Sequence, residues 1–154
     1  MPMVLRFESV VPAEPGVVWE RAVALRGAND ELWPLARMTL PIQFDSHTPP
    51  EQVVGHDFHS WMLAFGFLPV DRRTIHVEAF EPGRFRECST SLLQGAVCHE
   101  RTAVGLGDGT TRVTDTLEAT SRGRLPDALL KASVTMTFRR RHRRLQHHFE
   151  KRPT

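Results

Sequence analysis

The chain has 154 residues, 40% of them apolar and 25% charged, a size and composition that suit one ordinary globular domain over residues 1–154. A formal charge of +2 excludes any argument for a polyanion partner from overall basicity, so a basic signal here has to be local. No stretch approaches the roughly 18 apolar residues of a membrane span, and Arg6 and Glu8 interrupt the segment where a leader would be apolar. Cys88 and Cys98 have neither metal-type nor CxxC spacing, and reduced thiols in a cytoplasmic protein are expected.

In chain order, residues 3–11 carry Val4, Phe7, Val10 and Val11 in loose alternation and read as a first strand. "PAEPGVVWERAVAL" reads as an amphipathic helix with Pro15 near its start and Gly27 as its stop. "NDELWPLAR" follows as a second short helix capped by Asn29 or Asp30. From residue 38 to 122 the runs "RMTLPIQF", "HDFHSWMLAFGF", "RRTIHVEAF", "RFRECSTSLL", "AVCHERTAV" and "TRVTDTLEATS" have strand length. The turn chemistry between them, "FLPVD", "EPG", "LLQG" and "GLGDG", makes an antiparallel meander. One long helix then runs from Leu125-Pro126-Asp127 to about Glu150.

This order, with "EPGRF" at 81–85, "GDGTTRVTD" at 107–115 and "FRRRHRRL" at 138–145, resembles the helix-grip fold of the START and Bet v 1-like (SRPBCC) superfamily, in its branch of bacterial polyketide cyclases and ligand carriers. The resemblance implies an α+β fold in which a curved antiparallel sheet of six to seven strands wraps the last helix. It also implies an apolar cavity between sheet and helix for a small hydrophobic molecule of lipid, polyketide or aromatic type. The relatives often carry Trp and two histidines on the strand before the hairpin. Here only His99 corresponds, and Val97 stands near the Trp position.

Five arginines and one histidine fill Arg139 to Arg144, and on their own they invite a nucleic-acid reading. At 100° per residue the run divides. Val134, Phe138, Arg141, Leu145 and Phe149 share one stripe, whereas Arg139, Arg140, Arg143 and His147 form the solvated back. Basic groups near a helix C-terminus complement its dipole, and no aromatics interleave with them, so no nucleic-acid partner is expected. Arg141 either lays its stem on the core with its head in water, or pairs with a carboxylate of the sheet or of a ligand.

In the hairpin around "GLGDG", a register centred on Gly107 sets His99 opposite Asp115 and Arg101 opposite Val113. Apolar alternation makes Asp115 the one acid on the inward face of its strand. With Arg141, the pair is either a structural network or a polar patch that orients a ligand. In the enzyme alternative, His99 and Asp115 are catalytic, with His99 as general base, in a cyclase or dehydratase-type lyase without metal or nucleotide cofactor. The expected ligand-binding residues are Trp61, Leu63, Phe65, Val97, Val113, Leu117, Val134, Phe138 and Arg141. Phe58 and Met62 on the other face of the Trp61 strand leave room for a homodimer contact. No cofactor is expected. His56 and His59 point to opposite faces of a strand, and "GLGDG" lacks the context of a phosphate or dinucleotide loop.

Overall fold

The computed structural model describes residues 3–23, 25–39, 48–120 and 124–151. Strand β1 (Met3–Val11) alternates strictly, with Val4, Arg6, Glu8 and Val10 outward and Leu5, Phe7, Ser9 and Val11 inward. Pro12 stops it, because proline cannot donate to a ladder. Helix α1 (Pro15–Val23) opens on a proline that needs no donor in the first turn. Its Val18 enters the core, and its Trp19 is held between the rings of Phe80 and Phe85.

Helix α2 (Leu25–Leu32) starts earlier than expected, so Gly27 lies inside it rather than ending α1. It also stops earlier, at Leu32, because Pro34 cannot continue a helix and disfavours helical backbone at Trp33. Asn29 therefore caps nothing. Its side-chain amide bonds the backbone N–H and C=O of Met38 and fixes the short strand β2 (Ala36–Met38) beside the helix. Most of the expected strand "RMTLPIQF" lies outside the described residues.

After a single 3₁₀ turn at Pro50–Gln52, the strands β3 (Asp57–Ala64), β4 (Leu68–Glu81), β5 (Arg84–Ser91), β6 (Gly95–Gly105) and β7 (Thr111–Thr120) form a continuous antiparallel meander. The sheet order is β1-β7-β6-β5-β4-β3-β2, so α1 and α2 carry the chain from one edge to the other. "FLPVD" is not a turn, since β4 already begins at Leu68. The reversal is at Phe65-Gly66-Phe67, where Gly66 has φ +86° and an added Cβ would meet the Trp33 ring at 2.6 Å.

Helix α3 (Asp127–Glu150) is gripped by the curled sheet. Leu130, Val134 and Phe138 pack with Val97, Leu117 and Ala119, whereas Leu145 and Phe149 pack with Val11, Val18, Ala103 and Val113. Each such side chain contributes roughly 1.5–3 kcal/mol by leaving water. Between these two apolar clusters the helix presents Arg141 and His142, both buried. A polar layer thus crosses the core at mid-helix.

Cys88 and Cys98 are not free thiols. They sit directly opposite each other on β5 and β6 and form a disulfide. Sequence spacing alone could not show this, because the pairing comes from the register of the hairpin. No helix among the described residues is long and apolar enough to cross a membrane.

Candidate functional site

The register of β6 with β7 is shifted by two residues from the expected one, with Arg101 opposite Asp115, His99 opposite Leu117 and Ala103 opposite Val113. The turn is centred on Asp108 rather than Gly107, with Gly105 opposite Thr111. A shift of two leaves every side chain on its expected face, so Asp115 is still inward and fully buried. It has become the acceptor for two elements at once. Arg101 donates to both its oxygens, Nε to Oδ1 at 2.8 Å and Nη2 to Oδ2 at 2.7 Å. His99 reaches it diagonally through Nε2 at 2.7 Å, and His142 of α3 through Nε2 at 2.8 Å. On its other side His142 Nδ1 meets Ser9 Oγ of β1 at 2.6 Å.

The second buried acid is Glu31, which α2 inserts under α3. It accepts from Arg101 Nη1 and Nη2 at 3.2 and 3.3 Å and from Arg141 Nε at 2.9 Å. Arg101 thus bridges two carboxylates. Burial is the largest single influence and pushes both acids up, but Arg101 and Arg141 together at Glu31, and Arg101, His99 and His142 together at Asp115, outweigh it, so both are held below the usual carboxylate range. Burial pulls His99 down, and Asp115 and Glu87 more than reverse this, leaving its pKa raised. His99 Nδ1 stands 3.9 Å from Glu87 Oε1, and Phe85 and Phe138 meet the imidazole edge to face. Asp115 engages its Nε2, which fixes the orientation of the imidazole where it lines the cavity.

A cavity of about 180 Å³ opens against this layer, between sheet and α3. Leu32, Ala36, Met38, Met62, Val97, Leu117, Val134 and Phe138 give it apolar walls, and His99, Glu87, Arg141, Arg73 and Gln94 line its polar parts. Of the residues expected at the ligand, Val97, Leu117, Val134, Phe138 and Arg141 are there. Arg141 also stacks its guanidinium 4.9 Å from the Phe138 ring centroid.

Trp61, Leu63 and Phe65 are not in the wall. The inward residues of β3 are Phe58, Ser60 and Met62, and Trp61 and Phe65 are exposed. Parity misled because both faces of this strand carry large apolar side chains. Val113 is inward but belongs to the apolar cluster around Leu145, beyond the polar layer. The arginine run is less solvated than its wheel suggests. Arg140 donates to the Trp33 carbonyl and Arg144 to the Asp30 carbonyl, tying α3 to α2 and its exit.

Three members of the polar layer were missed. Arg101 shares the inward parity of Val97 and His99, a signal available but unused. His142 lies one turn beyond Phe138, on the flank of the stripe. Glu31 gave no signal, because its burial depends on how α2 docks.

This arrangement of helices, meander and final helix is the helix-grip fold of the START and Bet v 1-like superfamily. Solved structures that align along nearly all of the chain include the Zhui aromatase/cyclase from Streptomyces sp. R1128, with TM-score 0.73 and 15% identity over 99% of this chain and 96% of that one. A START superfamily protein from Mycobacterium smegmatis aligns with TM-score 0.71 and 11% identity over 96% and 97% of the two chains. Ara h 8.0201 aligns with TM-score 0.69 and 10% identity over 99% and 100%. At these identities the likeness is one of fold. Within that fold, the chain belongs to the family described as domain of unknown function DUF8410, whose model matches residues 9–149. No curated protein matches the chain.

Proposed function

We propose that the chain binds a small, largely apolar molecule in the cavity between the sheet and α3, with the polar layer orienting the oxygen atoms of that molecule. The observation that carries this reading is the cavity itself. Apolar side chains form much of its wall, and on one side they meet a polar layer in which Arg101, Asp115, Glu31 and Arg141 are paired with one another. Such a site favours a molecule with an aromatic or alicyclic body and one or two polar substituents. The structures that share the fold include proteins named as an aromatase/cyclase and a START superfamily protein, which agrees with this class of ligand.

One observation favours a second reading, an acid-assisted lyase. His99 lines the cavity, and although burial lowers its pKa, Asp115 and Glu87 raise it overall. In that case His99 would protonate a carbonyl oxygen of a bound ketone, and Asp115 would position the imidazole through Nε2.

Native mass spectrometry with added 2-naphthol tests the binding reading. The wild-type chain is expected to take up one molecule, and Val134→Trp, which fills the cavity from α3, is expected to take up none. Equal uptake by both chains would overturn it. For the lyase reading, His99→Gln must abolish turnover of an added cyclisable polyketone while leaving its binding within about threefold. Retained turnover would overturn it.

A further inference from the structure

Strand β4 turns Arg73 into the lining of the cavity, on the same side as Ile75 and Val77. Its guanidinium differs from the other two in the cavity region. Arg101 and Arg141 are satisfied by carboxylates, whereas the hydrogen bond of Arg73 among the described residues is one neutral bond, from Nη2 to Gln94 Oε1 at 2.5 Å. Arg73 Nε is buried with no hydrogen-bond partner among the described residues. Glu87 and Asp71 act on it electrostatically, yet neither forms an ion pair with it. Burial therefore prevails and pulls the guanidinium below the usual arginine range. Arginine remains charged even so.

Arg73 is half-buried, and its Nε, closed off from water and unbonded, is costly unless something supplies the missing acceptor. Gln94, which gives its Oε1 to Arg73, has its amide NH2 left to donate at the same end, and the Gln94 backbone is itself anchored by its N–H to Ser91 Oγ at 3.1 Å. We infer that Arg73 and Gln94 form an anion-recognition end of the cavity, and that the ligand is an apolar molecule carrying one carboxylate or enolate-type oxyanion. The inference rests on the binding reading above and sharpens it. The anionic group sits at Arg73 and Gln94, while the body lies against Val97, Leu117 and Phe138, with Arg141 and His99 left for a second oxygen.

Isothermal titration with the matched probes 2-naphthoate and 2-naphthamide separates charge from shape. Naphthoate is expected to bind wild type about tenfold or more tightly than naphthamide, as a charge-assisted bond to a half-buried guanidinium allows. Arg73→Gln is expected to erase the preference while leaving naphthamide affinity within about twofold, and Arg73→Lys to keep part of it. Circular dichroism on each variant verifies folding. Equal affinities in wild type, or a preference that survives Arg73→Gln, overturns the anion site and leaves the cavity reading standing. Failure of both probes to bind wild type overturns both.

Discussion

Asp115→Asn tests the polar layer without changing its shape. In the native chain each carboxylate oxygen accepts from two donors, Oδ1 from Arg101 and His99 and Oδ2 from Arg101 and His142. The substitution turns one oxygen into an NH2 group, which faces two donors whichever way the amide is turned. Two charge-assisted bonds are lost, each worth about 1.5–3 kcal/mol, and Arg101 keeps only Glu31 as an ionic partner. The expected loss is about 3–5 kcal/mol, in line with breaking one partner of a buried pair. For a chain of this length that is roughly 6–20 °C in Tm. Urea unfolding of wild type, Asp115→Asn and Glu118→Gln measures it, provided the slopes agree. Glu118 is three residues along the same strand but faces outward, so its variant is expected to stay within about 0.5 kcal/mol. A loss below about 1 kcal/mol for Asp115→Asn would refute the claim that these donors converge on one buried carboxylate.

The ionisation pattern sets a pH profile. Asp115 and Glu31 have lowered pKa values, so their contribution is complete above about pH 4 to 5 and is lost as the pH falls through the folded values. His99 has a raised pKa, so its contribution is complete below about pH 6.5 and is lost as the pH rises through the folded value. NMR titration of the His99 ring is expected to give a midpoint above 6.5, moving down in Asp115→Asn; an unchanged midpoint would contradict the pairing. Leu145→Ala should cost about 2–5 kcal/mol, and Met136→Ala, on the exposed side of the same helix, close to none, both read by urea unfolding. Gly66→Ala should destabilise by more than about 1 kcal/mol, because it sets a Cβ against Trp33 on a positive-φ backbone. Unfolded protein should react with maleimide at Cys88 and Cys98 only after reduction; labelling without reductant would exclude the disulfide.

Much of the fold was legible because the signals that encode it are local. Alternation in β1, β6 and β7 marks the inward face, the Pro and Gly turns bound the meander, and the stripe from Val134 to Phe149 marks the side of α3 that the sheet grips. Element ends were less legible where one residue type overrides a pattern, as Pro34 does to α2. In the site, parity located Asp115 and His99, but their contact is diagonal, and pairing distance depends on a loop whose centre differs by one residue. Glu31 and His142 enter from other elements, and only tertiary docking brings them to Asp115 and Arg101. On β3, large apolar side chains on both faces leave alternation without a preferred side, which is why Trp61 and Phe65 were placed in the wall and Met62 was not.

Ligand entry between the sheet and α3 can be read residue by residue in an NMR titration of labelled protein with 2-naphthol. Binding there gives saturable shifts at Val97, Leu117, Val134 and Phe138 that vanish in Val134→Trp. Shifts confined to the exposed aromatics Trp61, Phe65 and Phe67, unchanged in that variant, would contradict it.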